Sequence, residues 1–323
     1  MENPSISIVD VGHGNCSILR EENYVAIIDC ARKNSLLDYL DQENITEIDV
    51  VLISHADEDH LSGLIGILGT QKYNIKNIYI NPDSVKDTRI WEDVKYALNT
   101  EFNLNQVSVE TGVKYGKAIN WQGTKTSIEI VSPSVQLQLT GSGGKLKNKK
   151  ITTNTMSIVV RVSYNNIPVV TLAGDMDQIT LNDIIENKRS MNAKFLVYPH
   201  HGGNTGNSDL SNFAHEILKS VDPQAVIFSN GRGKFNNPQP AVIHAIKSFG
   251  AKAVACTQLS KTCSPSTITF DGVGRSKKFS SGANGGLCCA GTIEIDLAVQ
   301  DMIAPTITQH IEFINKIDSA LCR

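Results

Sequence analysis

The chain has 323 residues, of which 41% are hydrophobic and 20% charged, a balance that excludes a disordered, collagenous or coiled-coil protein and supports a large core. Its 30 basic and 33 acidic residues nearly cancel, so a protein that coats nucleic acid over its whole surface is excluded and any polyanion site must be local. The opening MENPSISIVD has no basic segment leading an apolar run, and no stretch reaches the ~20 apolar residues of a spanning helix. With seven cysteines at irregular spacing, the expectation is a soluble cytoplasmic protein with reduced thiols and no membrane partner.

In chain order, SISIVDV (5–11) and YVAIIDC (24–30) read as strands separated by a turn region rich in Gly, Asn and Glu. A helix follows over Ser35–Gln42, and IDVVLIS (48–54) is apolar on both faces, the pattern of a strand buried between two layers. LSGLIGILG (61–69) predicts a short helix packed back onto it. NIYIN (77–81) predicts a strand, 91–99 a helix and SIEIVSP (127–133) another strand. Residues 140–153, TGSGGKLKNKKITT, form a Gly- and Lys-rich break, expected to be a flexible loop or a mobile basic flap.

Beyond it, SIVVRVSY (157–164) and PVVTLAG (168–174) make a hairpin about Asn165-Asn166. KFLVYP (194–199) and AVIFSN (225–230) alternate with helical segments at 178–187, 208–220 and 239–249. The strand-like AKAVAC (251–256), a cysteine-containing insertion at about 257–291, a strand TIEIDL (292–297) and a helix at about 305–321 complete the chain. No repeat or linker divides it, so the expectation is one layered α/β domain over residues 1–323.

The densest chemistry lies in Ser54-His55-Ala56-Asp57-Glu58-Asp59-His60, where two His and two Asp fall between a buried strand and a helix. Imidazoles and carboxylates hold Zn²⁺, Mn²⁺ or Fe ions. An extended turn would let His55 and Asp57 face one way and Asp59 and His60 another, suiting two adjacent metals. A helix cap alone would explain Asp59 but not the other three. Asp175 ends the strand PVVTLAGD, and His200-His201-Gly202-Gly203 ends KFLVYP. Three strand ends delivering ligand-type residues fit the rule that α/β sites form at carboxyl edges of strands.

His55-x-Asp57-x-Asp59-His60, then LAGD (172–175) and HHGG (200–203), resembles the metallo-β-lactamase superfamily. VDVGHGNC (9–16), AIIDC (26–30), TNTMSIVVRV (153–162) and AVIFSNGRGKFNNPQPAVIHAI (225–246) are similar to the ComEC-type branch, the hydrolase domain of competence DNA-uptake proteins. The resemblance spans roughly residues 5–257 and implies an αββα four-layer sandwich with a metal site along one edge.

It further implies two divalent ions, zinc or manganese. His55 and Asp57 would hold the first, Asp59 and His60 the second, and Asp175 would bridge them. His200 or His201 would complete the set. The superfamily's middle histidine falls near Asn154, which implies a more weakly held first ion. Asp10 and Asp29 read as outer partners that orient ligating histidines. His13 and Asn15 stand where the branch has Gln and Asp, and Asn237-Pro238 where it has His-Pro.

The function implied is metal-dependent hydrolysis by an activated water, with Asp57, Asp59 and Asp175 in catalytic positions. The branch and the lysines Lys145, Lys147, Lys149 and Lys150 favour a phosphodiester substrate, in nucleic acid or nucleotide, with Ser229 and Asn237 as further substrate contacts. The rivals are a hydrolase of a small ester or phosphocholine-type substrate, and a non-catalytic module that binds nucleic acid or a partner. GSGGK (141–145) lacks the frame of a phosphate-binding P-loop. Cys256, Cys263, Cys288 and Cys289 have no paired metal spacing and read as buried free thiols. His215 and His244 read as packing or surface residues.

Overall fold

The computed structural model describes residues 3–31, 34–104, 107–206, 209–268 and 278–323. Strands β1 (Ser5–Ile8), β2 (Ser17–Glu21) and β3 (Tyr24–Ile28) form an antiparallel meander, and helix α1 (Ser35–Gln42) leads into β4 (Glu47–Ile53). Helix α2 (Glu58–Gly69), β5 (Asn74–Ile80), α3 (Arg89–Leu104) and β6 (Ser108–Glu110) follow. β3 through β6 pair in parallel, as helical crossovers require.

The second half starts with β7 (Thr126–Ser132), α4 (Val135–Thr140) and a small hairpin, β8 (Lys145–Leu146) with β9 (Lys149–Lys150). Then come β10 (Val159–Tyr164), β11 (Ile167–Leu172), α5 (Gln178–Glu186), β12 (Phe195–Val197), α6 (Leu210–Val221) and β13 (Ala225–Phe228). Helix α7 (Pro240–Phe249), β14 (Ala253–Cys256), β15 (Ile293–Asp296), β16 (Asp301–Ala304) and α8 (Ile307–Ile314) end the chain. One sheet runs β16-β15-β1-β2-β3-β4-β5-β6 and the other β14-β13-β12-β11-β10-β7.

Strand alternation builds the layers. In β4, Val50 and Leu52 enter a core shared with Val160, Val162, Phe195 and Ile227 of the opposite sheet. Val51 and Ile53 enter a second core with Leu36, Leu40, Leu61, Leu64 and Val94 of α1, α2 and α3. β12 and β13 repeat this on the other side, where Leu196, Val226 and Phe228 meet Phe213, Ile217, Val242 and Phe313 of α6, α7 and α8. Three cores separate four layers, an αββα sandwich, and each fully buried aliphatic side chain contributes about 1.5–3 kcal/mol.

Local chemistry accounts for the joints. Asn165 and Asn166 take φ of 48° and 63° in the β10–β11 turn, the sense that a two-residue hairpin requires. Pro240 opens α7, and Gly250 closes it at φ 90°. Thr306 and Gln309 form a reciprocal capping box on α8.

Three expectations differ from the structure. β2 occupies part of the stretch read as a turn region. The final helix stops at Ile314 rather than near 321, because Lys316, Ile317 and Ala320 donate to carbonyls three residues back and tighten into turns. The Gly- and Lys-rich break is an ordered hairpin, in which Ile151 N donates to the Gly144 carbonyl and Ile151 packs on Leu137 and Met156. Part of the cysteine-containing insertion, residues 269–277, lies outside the described residues. Cys256, Cys263, Cys288 and Cys289 are buried and form no disulfide among the described residues. Among the described residues, no helix is long and apolar enough to cross a membrane.

Candidate metal centre

The ligand-type residues all leave the carboxyl ends of strands. His13 follows β1, Asp29 follows β3, and the run His55 to His60 joins β4 to α2. Asp175 follows β11, His200 and His201 follow β12, and the segment from Ser229 to Asn237 follows β13. Both sheets present these ends to one edge of the sandwich. Gly14, at φ 128°, lets the His13 turn lie against α2, since a Cβ there would sit 2.3 Å from the Asp59 carbonyl oxygen.

Adjacent residues on an extended strand point to opposite sides, yet His200 and His201 both reach Asp175. Each takes the left-handed conformation, with φ of 52° and 55°, a costly arrangement for two non-glycine residues. Gly202 continues the turn at φ 79°, where a Cβ would lie 2.5 Å from Pro238 Cβ. The His200 Nδ1 lies 3.2 Å from Asp175 Oδ2, and the His201 Nε2 lies 4.0 Å from Asp175 Oδ1 and 3.3 Å from Asp59 Oδ2.

Three imidazoles share one arrangement. His60 Nδ1 lies 2.7 Å from Asp29 Oδ2, and His201 Nδ1 lies 2.6 Å from the Ser229 carbonyl oxygen. His55 Nδ1 lies 3.0 Å from Ser54 Oγ and 3.2 Å from Ser157 Oγ. An Nδ1–H donated to each such acceptor leaves a lone pair on Nε2. The three Nε2 atoms are buried, face the carboxylates of Asp57, Asp59 and Asp175 and make no hydrogen bond. His60 Nε2 is 3.2 Å from Asp175 Oδ1, and His55 Nε2 is 3.5 Å from Asp57 Oδ2 and 3.9 Å from Asp175 Oδ2.

Buried donors without partners are costly unless something completes them. Donor atoms of His55, His60 and Asp175 lie within 4.8 Å of one another, and so do those of His13, Asp59 and His201. Nitrogen and carboxylate oxygen sets of this kind fit divalent zinc or manganese. The two oxygens of Asp175 face different imidazoles, Oδ1 towards His60 and His201, Oδ2 towards His55 and His200.

Electrostatics sort the protons. Burial pushes the Asp175 carboxyl up, but His200, His60 and His201 hold it well below the usual range. Asp59 is likewise lowered against its burial by His13, His201 and His60. For Asp57, the His55 imidazole and the Lys86 ammonium outweigh burial and bring it down to about 2. Burial lowers His60, but Asp175 and Asp29 raise it well above its ordinary value, and Asp175 and Asp59 raise His201. In the metal-free chain, three anionic carboxylates surround two imidazoles that favour an extra proton, a positive charge that a metal ion can replace.

The structure thus brings together His55, Asp57, Asp59, His60, Asp175, His200 and His201. Asn154 lines the same cleft, its Oδ1 buried and without a hydrogen bond. Asp29 contacts His60 directly. Asp10 does not contact an imidazole. It accepts from the backbone of Gly12 and Gly282 and from the Gln258 amide, and so ties the His13 turn to the insertion.

Ser229, expected to touch substrate, is 1% exposed and donates its hydroxyl to the Gly14 carbonyl, so that hydroxyl is committed inside. Asn237 lines the cleft and donates to the His200 carbonyl. Of the four lysines, Lys149 and Lys150 line a hollow with Asn154 and His200. Lys147 turns away to an ion pair with Glu186, and Lys145 lines neither hollow.

Three residues join the site without having been singled out for it. His13 Nε2 is 3.2 Å from Asp59 Oδ2, and its position after β1 between two glycines matched the other strand ends. Lys86 pairs with Asp57, and no local pattern marks it. Phe235 lines a cleft of about 500 Å³ that also holds Asp57, Asp59, Asp175, His200 and His201.

The chain matches the profile of the metallo-beta-lactamase superfamily over residues 9–177, just over half its length. No curated protein matches it in sequence. Among solved structures it is similar to the metallo-beta-lactamase fold protein YhfI from Bacillus subtilis, at 14% identity and TM-score 0.49, over 79% of this chain and 96% of that one. Igni18, a metallo hydrolase from the archaeon Ignicoccus hospitalis, shares 17% identity at TM-score 0.45 over 78% and 94% of the two chains. The short form of human tRNase Z shares 13% at TM-score 0.38 over 80% and 93%.

Proposed function

The chain belongs to the metallo-beta-lactamase superfamily, and from that premise we propose that it is a metal-dependent hydrolase of phosphodiesters, in nucleic acid or a nucleotide. The carrying observation is the set of three buried Nε2 atoms, on His55, His60 and His201, turned towards the carboxylates of Asp57, Asp175 and Asp59 at 3.5, 3.2 and 3.3 Å without a hydrogen bond. In this reading His55, His60 and Asp175, with Asp57 and His200 beside them, would hold one divalent ion, zinc or manganese. Asp59, His201 and His13 would hold a second. When bound, such ions acidify water and neutralise charge on a phosphoryl oxygen.

The chain's own residues set up that chemistry. Asp29 accepts from His60 Nδ1 and fixes the ring with its lone pair inward. Asp57 and Asp59 are held ionised at neutral pH, so they can accept a proton from the attacking water but do not donate one. Lys86 balances the Asp57 carboxylate from the outer side. The cleft of the ligands shares Asn154, His200 and Asn204 with the hollow lined by Lys149 and Lys150. A polyanion in this groove would meet ammonium groups beside the ions, where phosphate contact is most favourable. The likeness of VDVGHGNC and TNTMSIVVRV to ComEC-type domains supports the same substrate class.

The test is incubation with labelled single- and double-stranded DNA and RNA, with added Mn²⁺ or Zn²⁺, alongside an Asp59→Ala, His60→Ala variant. The proposal expects cleavage that needs both metal and the wild-type residues. Bound metal without cleavage of any of the four polymers would remove the nucleic-acid form of the proposal. Metal content near zero would leave a binding module on the same fold.

A further inference from the structure

At the mouth of the cleft, Phe235 is 69% exposed although it is aromatic, and its backbone sits at φ 52°. Positive φ is a genuine outlier for a bulky residue and persists only where surrounding structure imposes it. Here Asn236 shares the left-handed region at φ 52°, and the Gln239 side chain donates to the Phe235 carbonyl. The chain therefore holds an apolar ring in water, at a conformational cost, beside the candidate metal ligands. Its centroid lies 5.3 Å from that of His13, whose own ring lies 4.4 Å from His201. The ring borders both the ligand cleft and a second hollow of about 270 Å³ lined by His13, Glu58, Asp59, Ser62 and Lys234.

We propose that Phe235 is a stacking platform for a nucleobase, and that Lys234 and Phe235 together select a base-bearing phosphate as the substrate. The proposal rests on the phosphodiester reading and names the substrate feature recognised. An exposed aromatic face takes either a flat π-system or a quaternary ammonium. The Lys234 ammonium lies 5.6 Å from the centroid of the same ring, so a second cation such as choline would be repelled there. A base carries no such charge, and its phosphate is attracted. A base on Phe235 places the adjoining phosphate towards His13, Asp59 and His201. The cleft of about 500 Å³ has the volume of a small-molecule site.

The test is calorimetric binding of AMP and of ribose 5-phosphate to the metal-loaded protein and to Phe235→Ala, Phe235→Leu and Phe235→Trp, with metal content measured for each. AMP is expected to bind the wild type about tenfold more tightly than ribose 5-phosphate, the ratio that ~1.4 kcal/mol of stacking gives. Alanine and leucine should erase that ratio, tryptophan should keep it, and bound metal should stay constant in all four. Equal binding of the two probes by the wild type, or a Phe235→Ala loss shared equally by both, would overturn the platform. A short single-stranded oligonucleotide as third probe identifies the source of the base. If it binds more tightly than AMP and loses affinity in Phe235→Ala, the base belongs to a strand. If it binds no better, the base belongs to a mononucleotide. Should base selectivity hold while no phosphodiester is cleaved, the hydrolase reading fails and the platform stands. Cleavage without base selectivity is the reverse.

Discussion

His60 concentrates the residue-scale logic of the site. Its Nδ1 is fixed by Asp29, its Nε2 faces Asp175, and it is fully buried. Asp29 sits at φ 63°, where Asn is tolerated and Ala is strained. Asp29→Asn therefore keeps the backbone but replaces the anionic acceptor, and metal affinity should fall by about 10–100-fold, read by competition with a chelator. Unchanged affinity would mean that the contact does not orient a ligand.

Proton competition supplies a second residue-scale prediction. The folded values of His60 and His201 are raised above the ordinary imidazole value of 6.5 by neighbouring carboxylates that outweigh burial. A metal ion needs both lone pairs, so binding expels the protons that these rings retain. Affinity should rise from about pH 6 to about pH 8, with proton release visible in the buffer dependence of the binding heat. A flat affinity over that range would contradict the assignment. Without metal the sign reverses. The stability contributed by His60 is fully present below 6.5 and is lost as pH rises through its raised value.

These candidate ligands were legible because each follows a strand of readable pattern. His13, Lys86 and Phe235 were not, because only the tertiary fold brings residues 13, 86 and 235 to the run at 55–60. Asp10 misled for the opposite reason. A strand-end Asp looks the same whether it anchors a histidine or, as here, a glycine turn.

At the scale of elements, the sequence specifies most where a face pattern is continuous. Helix α1 is observed over Ser35–Gln42 as its pattern predicts, and β4 is buried on both faces over Val50–Ile53 as that apolar run requires. β2 escaped because SILRE is short and adjoins the GHGNC turn, whose glycines dominate the local signal. The lysine hairpin escaped because its strands are two residues long, and what orders it is Ile151, Leu146 and Met156 packing with α4 and α5.

Of the hairpin's lysines, Lys149 and Lys150 line the hollow beside the ligand cleft and Lys147 does not, and this is testable. Lys149→Ala with Lys150→Ala should weaken a phosphodiester substrate several-fold and flatten the salt dependence of its KM. Lys147→Ala, which removes an exposed pair with Glu186, should change KM little and stability by less than about 1 kcal/mol. Equal effects of the two variants would mean that the groove does not run along this face.

For the whole molecule, the sandwich needs its two sheets held in register, because the site is divided between them. Glu21, at the end of β2, accepts from the backbone of Thr124, Lys125 and Thr126 leading into β7, at 2.9, 2.8 and 2.9 Å. One buried carboxylate thus joins the sheets. Glu21→Ala should cost about 2 kcal/mol or more in denaturant unfolding, since bonds to a charged group are lost and donors are left unpaired. Burial pushes Glu21 up, yet these donors and the Thr126 hydroxyl lower it below its ordinary 4.5. Its contribution is therefore present above 4.5 and disappears as pH falls through the lowered value. A Glu21→Ala protein as stable as the wild type at neutral pH would show that the sheets are held by their cores alone.

Closing the four layers brings the carboxyl ends of β1, β3, β4, β11, β12 and β13 to one edge, and the proposed chemistry depends on that convergence. The most direct test strips the protein of metal, reloads it with Mn²⁺ or Zn²⁺, and follows hydrolysis of a chromogenic phosphodiester alongside metal content. Hydrolysis should vanish on stripping and return on reloading, and Asp59→Ala, His60→Ala should show neither full metal occupancy nor activity. Hydrolysis indifferent to stripping, or full metal occupancy with no hydrolysis, would contradict the account.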